Sequence, residues 1–207
     1  MVALGKNFVN SKLATIFLAG FLVGGLSVQY IQNHVSTEGE LEISAEETYV
    51  LPAATPYKLR IPAVDITAPF ETPLDLTDEG GVVVPEAFDA VGWYKYSPTP
   101  GELGPSVVLG HVDSNTGPAI FWNLKNLKVG EEIYIDREDG TTATFSVTKL
   151  ENHTQGSFPT SKVYSDIDHA GLRLITCSGL YNYRTLRYSH NLIVYAALVQ
   201  PTIEKTE

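Results

Sequence analysis

The sequence is poor in cysteine and in basic residues. A single cysteine, Cys177, among 207 residues excludes an internal disulfide and a multi-cysteine zinc site. Lys and Arg number 14 against 24 Asp and Glu, which gives a formal net charge of -10. Because phosphate backbones are bound by clustered cations, this balance argues against a nucleic-acid partner.

The sequence also lacks the motifs of several enzyme classes. It has no G-x-G-x-x-G segment, no P-loop and no H-E-x-x-H pair, so no motif predicts a nucleotide, a zinc-protease site or another cofactor. Charged residues make up 18% and aromatic residues 10%, a composition too apolar and too aromatic for a disordered chain. One globular domain with an appendage is the expected organisation.

One long apolar run is present, at residues 13–31. Its 19 residues carry no charge, and a helix of that length, at about 1.5 Å per residue, approaches the ~30 Å hydrocarbon core of a bilayer. Lys6 and Lys12 precede the run, and acidic residues follow it. The positive-inside rule therefore predicts a single-pass helix in the cell membrane, with a cytoplasmic N-terminus and an extracellular remainder.

A cleaved signal peptide and a buried core helix are the alternatives for this run. No small-x-small cleavage site follows it, which disfavours the signal peptide. Gly20, Gly24 and Gly25 weaken a soluble helix, and the run has no polar face. A retained anchor is the favoured interpretation.

Composition divides the rest of the chain. Residues 32–56 are rich in Glu, Ser, Thr, Ala and Pro without an apolar period, which is typical of a flexible tether. The predicted segments are a cytoplasmic N-terminus (1–12), a transmembrane anchor (13–31), a flexible tether (32–56), a folded domain (57–200) and a C-terminal tail (201–207).

Short β-branched and aromatic runs, divided by Pro, Gly and Asp, fill the segment from Tyr57 to about Gln200. Short strands at this spacing predict an all-β domain, a closed or nearly closed barrel. Asp139-Gly140 stands between two alternating runs, which predicts a hairpin. The best candidate for a short helix is 117–124, with Pro118 in its first turn.

Cys177 follows the apolar run 172–176 and precedes Ser178-Gly179, which places it where a strand is expected to emerge into a loop. A free cysteine is often only a small buried hydrophobe. An exported chain seldom keeps an unpaired thiol without a use, however, and loops at strand ends are accessible to substrates. Cys177 is therefore a candidate nucleophile.

A cysteine nucleophile needs a partner that receives its proton, and histidine is the usual one. His111 follows the apolar run 106–110 and precedes Val112-Asp113, so its placement matches that of Cys177. The alternative is an ordinary surface histidine. His34 lies in the predicted tether and is excluded.

A tetrahedral oxyanion also needs a fixed donor, and arginine can supply one. Arg173, Arg184 and Arg187 all lie within ten residues of Cys177. Arg173 shares the strand face of Cys177 at a spacing of four, about 13 Å away, which suits contact with a bound peptide. Arg184 and Arg187 belong to the loop that leads into 191–197. For each of them, a solvated surface side chain is the alternative.

These residues resemble a known family. The segment 174–177, Leu-Ile-Thr-Cys, is similar to the Thr-Leu-x-Thr-Cys signature of sortases, and 109–113 resembles the Gly-His segment that carries the sortase histidine. The resemblance covers about 58–199. Class F sortases are the most similar, because small residues follow Cys177 and the last strand begins at Asn191. Further segments match in order: 60–62, 91–94, 98–104, 117–119 and 191–194.

The resemblance implies an eight-stranded β-barrel with one or two short helices, preceded by a single transmembrane helix. It implies a membrane-tethered transpeptidase whose cysteine attacks a C-terminal sorting motif, similar to Leu-Pro-x-Thr-Gly, on a surface protein. The thioester is then resolved by an amine on a cell-wall precursor or a pilin. The calcium-binding carboxylates of some members have no clear counterpart in this chain, so no metal is predicted.

Carried over by position, Cys177 is the nucleophile and His111 the general acid/base. Many sortases have an arginine immediately before the last apolar run, where this chain has Asn191. Arg187 is therefore the predicted oxyanion and substrate residue, with Arg184 and Arg173 as rivals. Asn191 is the other possible donor, and the resemblance gives Thr176 an assisting role at the oxyanion site. The predicted substrate-binding residues are Thr176, Arg173 and Asn191.

Two other functions use the same residues differently. A cysteine peptidase would release the acyl group to water, so only the acceptor distinguishes it from a transpeptidase. A tethered barrel that binds peptide without catalysis would have a buried, inert Cys177 distant from His111.

Overall fold

The structure is a computed structural model that describes residues 48–201. The predicted cytoplasmic N-terminus, the transmembrane anchor, most of the tether and residues 202–207 of the tail lie outside the described residues. Between residues 48 and 201, no helix is long and apolar enough to span a bilayer.

Ten strands and one short α-helix form the described domain, together with three short 3₁₀ turns. The 3₁₀ turns are Pro62–Val64, Leu124–Asn126 and Gln155–Ser157. The helix, α1, is Thr160–Tyr164. The strands are β1 (Pro56–Ile61), β2 (Ile66–Pro69), β3 (Val91–Trp93), β4 (Gly104–Gly110), β5 (Asp113–Ser114), β6 (Gly117–Pro118), β7 (Glu132–Arg137), β8 (Thr142–Thr154), β9 (Ala170–Asn182) and β10 (Arg187–Leu198).

Eight of these strands form one sheet in the order β2-β1-β7-β8-β10-β9-β4-β3. Its two edges meet just after β2, where Phe70 pairs with Val91 and the Glu71 backbone N–H donates to the Val91 carbonyl at 2.9 Å. The sheet is therefore a nearly closed barrel, and the predicted all-β eight-stranded fold is confirmed. Every neighbouring pair is antiparallel except β4 and β9.

Alternating side chains fill the inside of the barrel, because successive residues of a strand point to opposite faces. In β9, Leu172 and Leu174 point inward and pack with Val108 of β4 and Val194 of β10. All four side chains are almost completely buried.

A second apolar cluster lies on the outer face of the same strands. Ile175 of β9, Val107 of β4 and Ile193 of β10 meet there, and Val163 of α1 packs over them. The short helix therefore covers a part of the outer face that would otherwise be exposed apolar surface.

The predicted hairpin is confirmed. β7 and β8 pair across a turn in which Gly140 has φ 83 and its N–H donates to the Arg137 carbonyl at 3.0 Å. A positive φ favours glycine, which explains the Asp-Gly signal. The predicted helix over 117–124 is not formed. Gly117–Pro118 is strand β6, and single turns follow it up to the 3₁₀ turn at Leu124–Asn126, because Gly117 pairs with Ser114 of β5.

The last part of the predicted tether belongs to the folded domain. Leu51 is partly buried against the core, and its N–H donates to the Gly101 carbonyl at 2.8 Å. The side chain of Arg137 donates to the Pro52 carbonyl at 2.6 Å. Backbone carbonyls bound by a buried cation leave no mark in composition or periodicity, so contacts of this kind before Tyr57 could not be predicted from the sequence.

Arg137 is the buried link between this segment and the barrel. Its side chain is fully buried and also donates to the Pro100 carbonyl at 3.2 Å and to the Asp139 carboxylate at 2.9 Å. Removing this buried cation loses all three hydrogen bonds and leaves the buried Pro100 carbonyl without its donor, which costs more than the loss of a surface ion pair.

We expect Arg137→Met to lower the free energy of unfolding by about 3 kcal/mol, because three hydrogen bonds from a buried cation are lost and the buried Pro100 carbonyl loses its donor. Urea denaturation of the purified chain measures this change. Arg60→Met is the matched control, since Arg60 bonds Asp136 at a partly exposed site, and its expected cost is below about 1 kcal/mol. Equal losses in the two variants would contradict the assigned role of Arg137.

Candidate active site

The parallel pair β4–β9 brings the two reactive residue types to one level of the barrel. The last paired residues of the ladder are Leu109 and Ile175, and His111 and Cys177 each lie two residues further along the chain. Side chains two apart share a face, so both belong to the outer face that also carries Leu109 and Ile175.

A cavity of about 220 Å³ joins these residues. His111, Cys177, Thr176 and Asn191 all line it, together with Asp113 and Tyr188. Its remaining walls are apolar: Val84, Leu109, Gly110, Val112 and Ile175.

Cys177 lies within β9 and not at its end, in contrast to the expectation from sequence. The strand continues to Asn182 because it stays paired with β10. What ends near Cys177 is the pairing with β4, and the side chains beyond it become progressively exposed. Cys177 is therefore accessible because one neighbouring strand is lost, while the other still holds the backbone.

The environment of Cys177 disfavours the thiolate. Burial raises the pKa of the thiol, and the negative charge of Asp113 raises it further. Both effects penalise the charged form. The resting thiol is thus protonated at neutral pH, and a nucleophilic sulfur requires a base beside it.

His111 is oriented by the loop between β2 and β3. Its Nε2 lies 2.8 Å from the Pro85 carbonyl oxygen. A carbonyl only accepts, so Nε2 carries a proton and Nδ1 is the nitrogen left to accept one. The ring also packs against Phe88, with centroids 4.7 Å apart.

The β2–β3 loop is itself held in place by a carboxylate. Glu71 accepts hydrogen bonds from the backbone N–H groups of Glu86 at 2.9 Å and Ala87 at 2.8 Å. The sequence of this loop carries no motif that predicts a part in the site. Its contribution depends on a long-range contact with His111.

Asn191 lies directly opposite Cys177 in the ladder between β9 and β10. Thr176 is almost fully buried, and its Oγ1 makes no hydrogen bond within the described part of the chain. Both residues line the cavity, so an amide and a hydroxyl stand beside the thiol.

The three arginines lie elsewhere. Arg173 is buried on the outer face, where its guanidinium stands 4.8 Å from the Tyr195 ring centroid and donates to the Leu172 carbonyl at 3.1 Å. Arg184 is exposed in the β9–β10 turn, and Arg187 is exposed and opposite Asn182. None of the three lines the cavity.

Asp113 and Tyr188 were not predicted from the sequence as site residues. The Tyr188 hydroxyl donates to the Asp113 carboxylate, and both side chains line the cavity beside Cys177. The position of Asp113, two residues after the candidate histidine, was a usable signal. For Tyr188 there was none, because a bulge between Tyr188 and His190 shifts the register of β10.

No group of three His, Cys, Asp or Glu side chains within residues 48–201 is arranged to hold a metal ion. A thiol, an imidazole with one free nitrogen and two hydrogen-bonding groups are the components of covalent acyl transfer.

A family model described as a sortase domain matches residues 59–199. Comparison with curated proteins finds no match.

Among solved structures, the chain is similar to a lid mutant of sortase A from Corynebacterium diphtheriae, with 22% identity over 75% of each chain and a TM-score of 0.56. It is similar to sortase C-1 from Actinomyces oris, with 23% identity over 70% of this chain and 73% of the other and a TM-score of 0.55. A sortase C1 from Streptococcus suis gives 18% identity over 74% and 77%, with a TM-score of 0.53. At this level of identity the likeness concerns the fold.

We expect alkylation of Cys177 by iodoacetamide to follow a pH profile whose midpoint lies above that of a free cysteine, about 8.5. Asp113→Asn should move the midpoint to lower pH, because removing a negative charge favours the thiolate. Intact mass spectrometry gives the rates without ambiguity, since the chain has one cysteine.

Asp65→Asn is the control for this shift. Asp65 is exposed and has φ 55, a conformation that asparagine tolerates, and it does not line the cavity. A midpoint that stays the same in Asp113→Asn would show that the carboxylate does not act on the thiol.

Proposed function

The chain belongs to the sortase family of cysteine transpeptidases, and on that premise we propose that it joins surface proteins to an amine outside the cell. The proposed donor is a C-terminal sorting motif similar to Leu-Pro-x-Thr-Gly, and the proposed acceptor is an amine of a cell-wall precursor or a pilin. The observation that supports this most is the presence of Cys177 and His111 at one level of β4 and β9, on a common cavity.

In the proposed acylation step, Cys177 loses its proton to Nδ1 of His111 and attacks the peptide carbonyl. The tetrahedral intermediate collapses when the imidazolium returns the proton to the leaving amine. A thioester on Cys177 remains. The raised pKa of Cys177 makes the ion pair of thiolate and imidazolium a minor population, so slow turnover is expected.

We propose Asn191 as the principal hydrogen-bond donor to the oxyanion, in preference to Arg187. Asn191 stands opposite Cys177 in the ladder, whereas Arg187 is exposed at the far end of β10. Thr176, with an unpaired buried Oγ1, assists. Fixed donors next to the reacting carbon stabilise developing charge without reorganisation.

The apolar outer face next to the cavity is the proposed site for the Leu-Pro part of the motif. Leu109 and Ile175 line the cavity and also belong to the outer-face cluster. Tyr94, Phe158 and Tyr164 are partly buried on the same cluster. A half-covered apolar surface with aromatic edges is suited to aliphatic and prolyl side chains.

The proposal includes membrane attachment and a subclass. Residues 13–31 are proposed to anchor the chain, with a cytoplasmic N-terminus and the catalytic domain outside the cell, on the basis of the uncharged run and its flanking lysines. Asn191 at the position opposite the cysteine supports the resemblance to class F.

A panel of sorting-motif peptides tests the reaction on the full-length chain in detergent. We expect a peptide adduct on Cys177, detected by intact mass, that an added amine resolves to a new amide. Cys177→Ala should abolish the adduct, and His111→Ala should lower kcat/KM about a thousandfold. Resolution by water alone would indicate a peptidase, and a thiol that no peptide acylates would indicate a binding barrel.

Asn191→Ala should lower kcat/KM about a hundredfold, because one preorganised oxyanion donor is lost. Arg187→Ala and Arg184→Ala are matched controls from the same hairpin and should stay within about twofold of the unmodified chain, as expected of solvated side chains. The same steady-state peptide assay measures all three. A hundredfold loss in Arg187→Ala with none in Asn191→Ala would return the role to the arginine.

A further inference from the structure

Asp113 places a negative charge near Cys177, where it disfavours the thiolate that the proposed acylation step requires. The carboxylate stands near Cys177 and raises the pKa of the thiol. It is not a flexible surface group, because the Tyr188 hydroxyl from β10 donates to it and joins β5 to β10 across the site. A fixed charge that opposes thiolate formation calls for a role in another step.

A second cavity, of about 310 Å³, opens on the other side of this pair. Five residues line both cavities: Val112, Asp113, Thr176, Cys177 and Tyr188.

The candidate catalytic groups His111 and Asn191 line only the first cavity, whereas Phe121, Trp122 and Tyr181 line only the second. Asp113 thus stands at the boundary between the reacting groups and an aromatic chamber.

The boundary at Asp113 favours a cation, and the chamber beyond it favours a chain with apolar or amide character. Lys125 also lines the chamber and already places its Nζ 4.2 Å from the Trp122 ring centroid, so a second ammonium group is repelled from that ring and directed towards Asp113. Among residues 48–201, Asp113 is the only acidic side chain that lines either cavity. An incoming ammonium group therefore finds its one opposite charge next to the thioester sulfur.

We propose that Asp113, held by Tyr188, binds the ammonium group of the acceptor, and that the aromatic chamber takes the chain attached to it. The inference rests on the proposed transpeptidase function and deepens it. The acceptor class is a primary aliphatic ammonium on a peptide, either an N-terminus or a side-chain amine.

The charge of Asp113 favours binding of the acceptor after acylation and not before it. Before acylation, Asp113 opposes the thiolate. After acylation the sulfur is part of a neutral thioester, so the repulsion disappears and the carboxylate can pair with the ammonium. The acceptor is therefore recognised by its charge in the acyl-enzyme.

Aminolysis transfers the acyl group from the sulfur of Cys177 to the acceptor nitrogen. The bound ammonium gives one proton to neutral Nδ1 of His111, and the freed lone pair forms a C–N bond to the thioester carbonyl. The C–S bond breaks, and its electron pair leaves on Cys177. The second proton of the attacking nitrogen goes to solvent, and the products are an amide, a thiolate and an imidazolium.

The test uses p-nitrophenyl acetate to place an acetyl group on Cys177 of the full-length chain in detergent. Decay of the acetyl adduct is then followed by intact mass with triglycine, whose N-terminus is an ammonium group at neutral pH, or with hydroxylamine, which is uncharged. The readout is the ratio of aminolysis to hydrolysis of the same acyl-enzyme, which does not depend on how fast it forms.

We expect Asp113→Asn to lower the triglycine ratio about tenfold and the hydroxylamine ratio by less than twofold, because only triglycine presents an ammonium group to the carboxylate. Tyr188→Phe should lower the triglycine ratio about threefold, since the carboxylate loses its anchor but keeps its charge. Asp65→Asn, which removes the same charge away from both cavities, should change neither ratio.

An unchanged triglycine ratio in Asp113→Asn would overturn the inference. So would equal losses for the two nucleophiles, which would indicate a structural role for the carboxylate. If the unmodified chain forms no acetyl adduct, Cys177 is not a nucleophile, and the proposed function fails together with this inference. An adduct that forms normally but is resolved without charge selectivity overturns this inference alone.

Discussion

The parallel pairing of β4 with β9 is the constraint on which the site depends. The other strand pairs of the sheet are antiparallel, and antiparallel partners send their chain ends in opposite directions. Parallel partners end at the same edge. Because the ladder stops at Leu109 and Ile175, the next outward-facing residues of both strands, His111 and Cys177, come to the same level.

The barrel holds the backbone of Cys177 through β10 on one side and leaves its side chain accessible on the other side, where β4 has ended. Leu172 and Leu174 anchor β9 in the interior, and β10 keeps pairing with β9 well beyond Cys177. The loss of β4 as a neighbour leaves an open flank, which two cavities occupy. The candidate nucleophile, Cys177, is thus held on a strand, where its position is better defined than on a loop.

The electrostatics of the site suit a reaction in two halves. Burial and Asp113 keep the resting thiol protonated, which protects a lone cysteine from unwanted chemistry. The imidazole, held at Nε2 by the Pro85 carbonyl, has one nitrogen free for proton transfer. In the proposed reaction, Asp113 disfavours the thiolate before acylation. Once the sulfur is acylated, the same carboxylate can bind the ammonium group of the acceptor.

Local sequence was informative wherever a residue reports on its own strand or turn. Short β-branched and aromatic runs predicted the barrel, and Asp139-Gly140 between two alternating runs predicted the β7–β8 hairpin, because strand propensity, a side-chain period of two and a positive φ are local properties. The same local patterns showed that Cys177 and His111 each directly follow a short apolar run. Local patterns failed at 117–124, where pairing of Gly117 with Ser114 overrode a helical pattern.

The sequence by itself determined the fold class, the one thiol and the candidate histidine, since each follows from residue identity and short-range periodicity. Only the tertiary structure decided which residues surround the thiol. It placed Asn191 opposite Cys177, put the three arginines away from the cavity, and joined Asp113 to Tyr188. Such contacts depend on strand order, register and a bulge, which are set by the packing of the whole barrel.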